Sequence, residues 1–180
     1  SAPYLAVIHR LDQPVEGILV FGKTKNAAAS LTRQLTRNGF KKYYEAMAEG
    51  TPPATSGTLT DYLIRDSRTN CSAVCSPDTL GSKKAVLEYQ VLAQYKTNGK
   101  CLSHLRIQLQ TGRHHQIRVQ FSHAGCPLFG DRKYNPDGIP VSRLYLCACQ
   151  LDFLHPSTGK LLHFEIQPFF YEEFDKSSPS

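Results

Sequence analysis

No apolar run in the chain approaches the roughly 18 residues that a membrane span requires. The N-terminus also lacks the basic stretch and apolar core of a secretion signal. There are six cysteines, but none forms a C-x-x-C pair, so a zinc ribbon has little to rest on. The H-E-x-x-H of a zinc protease and the G-x-S-x-G elbow of a serine hydrolase are missing. So are a Walker loop and a dinucleotide fingerprint. A chain of this size does not need disulfides, and the expectation is buried free thiols in a reducing compartment.

Acids are absent from Lys23 to Lys42, a stretch that holds Lys23, Lys25, Arg33, Arg37, Lys41 and Lys42. Across all 180 residues, 21 Lys and Arg face 15 Asp and Glu, a formal net charge of +6. A basic excess concentrated in particular stretches suits a polyanionic partner. The hydrophobic fraction of 41% is enough for one domain with a real core. No repeat or linker divides the chain.

The pattern predicts an α+β fold, with a mixed, mostly antiparallel sheet and a few flanking helices. Tyr4 to Ile8 and Gly17 to Phe21 read as strands separated by a polar turn. Thr24 is a good N-cap for a helix carrying Ala27, Ala28, Leu31 and Leu35 on one face, with Asn38-Gly39 as its stop. Arg33 and Arg37 lie one turn apart on another face. Further strands are expected over 40–49, 57–64, 70–75, 85–93, 105–109, 144–153 and 161–166. A second helix is expected from about His114, with Ile117, Phe121 and Ala124 at helical spacing and Gly125 as its stop. The domain is expected to run over 1–175, followed by a flexible tail over 176–180.

Three clusters carry candidate chemistry. His9-Arg10-Leu11-Asp12 places an acid beside two potential cations in a turn, as a cleft residue or as an ordinary turn aspartate. Lys41-Lys42-Tyr43-Tyr44 interleaves cations and rings, as a polynucleotide contact or as a strand with one tyrosine on each face. Thr111 to Arg118 (TGRHHQIR) feeds a helix start from a glycine turn, as an anion site centred on Arg113 or as a solvated helix end. The adjacent His114 and His115 are poorly placed to share one metal ion, and no metal is expected.

In this order the clusters resemble the RluA family of RNA pseudouridine synthases. HRLD at 9–12 with Gly17 is similar to the family's catalytic motif, and Lys42 to Ala46 with Gly50 is similar to its K-x-Y-x-A segment. Thr111 to Tyr134 resembles its long T-G-R-x-H-Q-I-R…G-D-x-x-Y signature, and Leu146 to Pro156 its closing F-x-H-P segment. The chain departs from the pattern at Val15-Glu16, where Thr-Ser is usual, and at Gln120 and Cys147, where His is common. It also starts eight residues ahead of His9, where the family carries further strands and a K-P-x-G segment; either the chain is a fragment or that edge of the sheet is missing, and an exposed sheet edge is then expected.

The resemblance implies isomerisation of uridine to pseudouridine in ribosomal or transfer RNA, with no cofactor, no metal and no obligatory protein partner, in the cytoplasm. It implies Asp12 as the catalytic carboxylate, Arg113 as its ion-pair partner, lowering its pKa, and Tyr44 against the uracil ring. His9, Arg10, Arg33, Arg37, Lys41, Lys42 and Arg118 are the expected RNA contacts. Two routes stay open for Asp12: attack on C1′, or removal of a proton from C2′. An RNA-binding module without catalysis is the alternative, separable by tritium release from 5-³H-uridine RNA. A hydrolase using Asp12 and His9 is more remote, and it would change the mass of its product.

Overall fold

The computed structural model describes residues 2–37, 39–97 and 99–175. The strands are β1 (Ala6–Val7), β2 (Glu16–Gly17), β3 (Phe21–Gly22), β4 (Lys41–Glu49), β5 (Ser56–Asp66), β6 (Cys71–Cys75), β7 (Lys83–Thr97), β8 (Lys100–Leu109), β9 (Leu146–Leu154) and β10 (Leu161–Glu165). Three helices accompany them: α1 (Lys25–Thr36), α2 (Gln116–His123) and α3 (Tyr171–Asp175). The main sheet runs β10-β9-β4-β8-β7-β5-β6, with β2 joined to β9. All its pairings are antiparallel except β2 with β9. The α+β expectation therefore holds.

The sheet is built around β4, which is flanked by β8 and β9 and buried from Tyr44 to Glu49. One face packs Tyr44, Ala46, Leu105 and Ile107 against Ile117 and Phe121 of α2. The other packs Met47, Cys147 and Cys149 against Phe170 beside α3. α1 sits over the far end of β9, burying Ala28 and Leu31 with Leu151 and Phe153. Its start is fixed by Thr24, whose hydroxyl accepts from the Ala27 amide at 3.1 Å. Asn38, expected in the helix stop, lies outside the described residues, as does the expected tail over 176–180.

Three elements differ from the sequence expectation. Gly17 to Phe21 is not one strand. The chain pairs with β9 at Glu16 and Gly17, then leaves it to pair with β1 at Phe21 and Gly22. Gly17 makes this possible: its φ is +139°, and a Cβ there would stand 2.5 Å from the Ala148 side chain. β10 is an edge strand and buries little, with Leu161 70% and Phe164 47% exposed. Its alternating face does turn to the core, with Leu162 packed on the Phe153 cluster and Phe164 stacked on Phe153 at 5.8 Å, but at the edge that face stays largely open. The third helix, α3, is too short to leave a periodic signal. All six cysteines are free, and Cys126, Cys147 and Cys149 are buried.

Candidate active site

A cleft of about 870 Å³ opens over the ends of β4 and β8, between the His9–Asp12 turn, the end of α1 and the start of α2. All three sequence clusters reach it. The turn supplies His9, Arg10 and Asp12; β4 supplies Lys41, Lys42 and Tyr44; and the TGRHHQIR run supplies Gly112 to Arg118.

Asp12 is partly buried, its side chain 26% exposed. Its ion-pair partner is Arg118, with Nη1 3.7 Å from Asp12 Oδ2. The expected pairing with Arg113 is not formed. Arg113 is exposed, and its Nε donates to the Lys84 carbonyl at 2.8 Å. The cause is local: His115 adopts a left-handed backbone, φ +53°, immediately before α2. That leaves Arg113 in the preceding turn and puts Arg118 inside the first helical turn, facing the core. Arg118, expected as an RNA contact, is 4% exposed and belongs to the cleft wall rather than the outer surface. Its Nε and Nη2 each bond Asp131 at 2.7 Å, a buried bidentate pair.

The balance on Asp12 also reverses the expectation. Its pKa is raised, because burial outweighs the lowering pull of Arg118. At 3.7 Å the guanidinium is beyond hydrogen-bond length, and its closer bonds go to Asp131. Asp12 is thus an incompletely solvated carboxylate with room for another partner.

His115 Nε2 is the second neighbour of Asp12, 3.8 Å from Oδ2. Burial first, and then Arg118, hold its pKa down at about 3, so the contact joins a neutral ring to a carboxylate. The Tyr134 hydroxyl lies 2.7 Å from His115 Nδ1 and accepts from the Ser72 amide at 2.8 Å. Its own proton is then directed at Nδ1, which leaves the His115 proton on Nε2, toward Asp12. No sequence pattern gives Asp131, His115 or Tyr134 a role at the site. All three fall within the Thr111–Tyr134 signature, but only the fold shows that they converge.

Tyr44 is buried at 9% exposure and lines the same cleft. It sits where the β4–β9 register shifts between Tyr43 and Glu45, an irregularity of the kind that re-aims side chains. Burial, and then the Asp12 charge, push its hydroxyl pKa well up, so the phenol stays protonated. Tyr43 points to the opposite face, under the Arg106 guanidinium at 5.0 Å.

The remaining expected contacts divide by exposure. Arg10, Arg33, Arg37 and Lys41 are exposed. Lys42 is half-buried, and burial lowers its pKa. Burial, and then Lys42, hold His9 at about 4, so it is a neutral wall residue rather than a phosphate-binding cation. Its ring meets Phe40 edge-on at 6.2 Å. The departures from the family pattern lie mostly outside the cleft. Glu16 and Cys147 are register partners of each other, and Gln120 bonds Asp61 at 2.7 Å. Among the described residues, no group of three His, Cys, Asp or Glu side chains is placed to hold a metal ion, and no helix is long and apolar enough to cross a membrane.

The family model for RNA pseudouridylate synthase matches residues 1–123. An uncharacterized RNA pseudouridine synthase of Chloroflexus aurantiacus is 35% identical over 160 residues, covering 88% of this chain and 48% of that protein. Ribosomal large subunit pseudouridine synthase D of Neisseria meningitidis serogroup B is 34% identical over 177 residues, covering 92% and 46%. The chain thus spans about half the length of the curated relatives it matches. The structure of human RNA Pseudouridylate Synthase Domain Containing 1 superposes with a TM-score of 0.81 at 24% identity, covering 96% of this chain and 73% of that one, and so shares its fold.

Proposed function

Because the chain belongs to the RNA pseudouridylate synthase family, we propose that its cleft isomerises a uridine in structured RNA, ribosomal or transfer, to pseudouridine, with Asp12 as the catalytic carboxylate. The observation that carries this reading is the placement of Asp12: partly buried in the cleft, 3.7 Å from a buried arginine, with Tyr44 lining the same space.

The reaction breaks the bond between uracil N1 and C1′ and makes one between C5 and C1′. The proton on C5 is released, and one is gained at N1. No electrons leave the nucleoside, so no oxidant or co-reactant is called for. Asp12 serves either route, attack on C1′ or removal of the C2′ proton, and must be ionised for both. Arg118, itself fixed by Asp131, steadies that charge. Tyr44 offers a ring face to the uracil with a hydroxyl that stays protonated. The target base is unreachable inside a duplex, so the nucleotide must flip out, at a cost of a few kcal/mol. The exposed Arg10, Arg33, Arg37 and Lys41 hold the RNA backbone, which makes binding salt-sensitive. The protein works in the cytoplasm, where such RNA is processed.

The test is tritium release from RNA labelled with 5-³H-uridine. Asp12→Ala and Asp12→Asn are expected to stop release while RNA affinity stays within about threefold. Normal turnover by either variant removes Asp12 from the mechanism.

A further inference from the structure

Two residues other than glycine have a left-handed backbone among the described residues, Asn70 at φ +50° and His115 at φ +53°. Such conformations cost roughly 1–3 kcal/mol and persist where surrounding contacts enforce them. One side chain connects them. His114 Nε2 lies 3.1 Å from Asn70 Oδ1, and the His114 ring stacks on His115 with centroids 3.7 Å apart. Asn70 Oδ1 can only accept, so His114 carries its proton on Nε2, and Nδ1 accepts from the Ser72 hydroxyl at 2.8 Å. Ser72 in turn donates its amide to Tyr134, the residue that fixes His115. The β5–β6 hairpin is therefore bonded, through His114 and Ser72, to the ring that faces Asp12.

The tip of this hairpin has a composition unlike a packing element. It reads Arg65-Asp66-Ser67-Arg68-Thr69-Asn70, with Arg65 and Arg68 exposed. Arg65 Nη2 donates to Asn70 Oδ1 at 3.1 Å, the same oxygen that His114 holds. Lys133 Nζ donates to the Asn70 carbonyl at 2.9 Å, adding a third cation to the tip. Position completes the argument. β6 is the sheet edge opposite β10, and α1, with exposed Arg33 and its capping Arg37, lies toward that other edge, over β9. A polyanion crossing the cleft would leave α1 on one side and meet the hairpin on the other.

We propose that the β5–β6 hairpin is a second RNA-backbone contact, made through Arg65 and Arg68, and that His114 is the positioning residue that holds it in register with the cleft. The proposal rests on the RNA-modifying reading. Its phosphate contacts are independent of the isomerisation chemistry. An unattached hairpin would carry the same charges but present them in many orientations, so their contribution to affinity depends on the His114 bridge.

The experiment is a double-mutant cycle on affinity, by filter binding to unmodified tRNA and large-subunit rRNA-fragment transcripts. Arg65→Gln with Arg68→Gln is expected to weaken binding about tenfold and to reduce the salt slope by about 1.5. In a His114→Ala background the same arginine changes should cost less than about twofold. His114→Gln, which retains a donor for Asn70, should restore the tenfold effect. Equal arginine effects with and without His114 overturn the positioning role. An arginine effect under twofold in the otherwise native protein, or no RNA binding by that protein, overturns the contact itself. Tritium release by the native protein is read in parallel. Its absence, with RNA binding and the cycle intact, defeats the isomerase reading and leaves the hairpin contact standing.

Discussion

Arg118 gives its shorter bonds to Asp131 rather than to Asp12: two at 2.7 Å to the former, against 3.7 Å to the latter. The guanidinium is thus anchored by one carboxylate and offered to another. Asp131 is fully buried and also accepts from the Lys133 and Tyr134 amides at 3.0 and 3.2 Å. Removing it leaves a buried arginine without its close partner, which typically costs about 3–5 kcal/mol. Asp131→Ala should therefore lose stability of that order in urea unfolding at pH 7. Asp12→Asn should lose none, because the raised pKa of Asp12 means that its ionised form opposes folding. A Asp131→Ala variant within about 1 kcal/mol of the native protein would show that Arg118 is held by something else.

The pH dependence of catalysis should carry the same signature. The proposed reaction requires Asp12 ionised, and burial raises its pKa above the usual carboxylate value of about 3.9. The acid limb of kcat/KM should accordingly have its midpoint above that value. Arg118 pulls in the lowering direction, so Arg118→Gln should move the limb further up, while Arg118→Lys, which keeps the charge, should move it less. A limb at or below 3.9 in the native protein, or a downward move in Arg118→Gln, contradicts this electrostatic account.

His9 and His115 make a separate prediction about stability. Both are neutral in the folded protein, at about 4 and about 3, because burial disfavours the charged ring. The unfolded chain takes up protons at these rings near pH 6.5 while the folded chain does not. Stability must then fall as the pH drops below about 6.5 and level off, for His9, below about 4. Urea midpoints at pH 7, 5.5 and 4.5 measure the slope, and His9→Gln should flatten it. An unchanged slope in that variant would mean that His9 is already charged when folded.

How much of this was legible in the sequence follows from which interactions are local. The α1 start was readable because Thr24 caps a helix three residues away, and β7 and β8 because alternation is a local pattern. The motif order also identified Asp12 and Tyr44 as cleft residues, and both line it. The arginine assignment went astray because Arg113 and Arg118 are equally plausible cations in a linear string. Only the left-handed turn at His115 decides which one faces Asp12. Gly17 to Phe21 misled for a related reason: apolar residues continue through a change of pairing partner, which hydropathy does not register. The tie between His114 and Asn70 joins residues far apart in the chain and had no sequence signal at all.

Tyr44 allows its ring and its hydroxyl to be separated. The hydroxyl stays protonated, since burial and the Asp12 charge both oppose its ionisation, so it is a poor base at neutral pH. In the proposed reaction the ring is the part that a flipped uracil would meet, and a base–aromatic stack is worth about 1–3 kcal/mol. Tyr44→Phe should consequently bind RNA within about twofold of the native protein and keep a measurable rate of tritium release. Tyr44→Ala should lose most of that rate, and should also lose stability, because the side chain is buried in the main core cluster. Filter binding and single-turnover tritium release on the pair distinguish the two parts. If Tyr44→Phe is as inactive as Asp12→Ala while binding normally, the hydroxyl itself moves a proton in the reaction, and stacking is not the main role of the side chain.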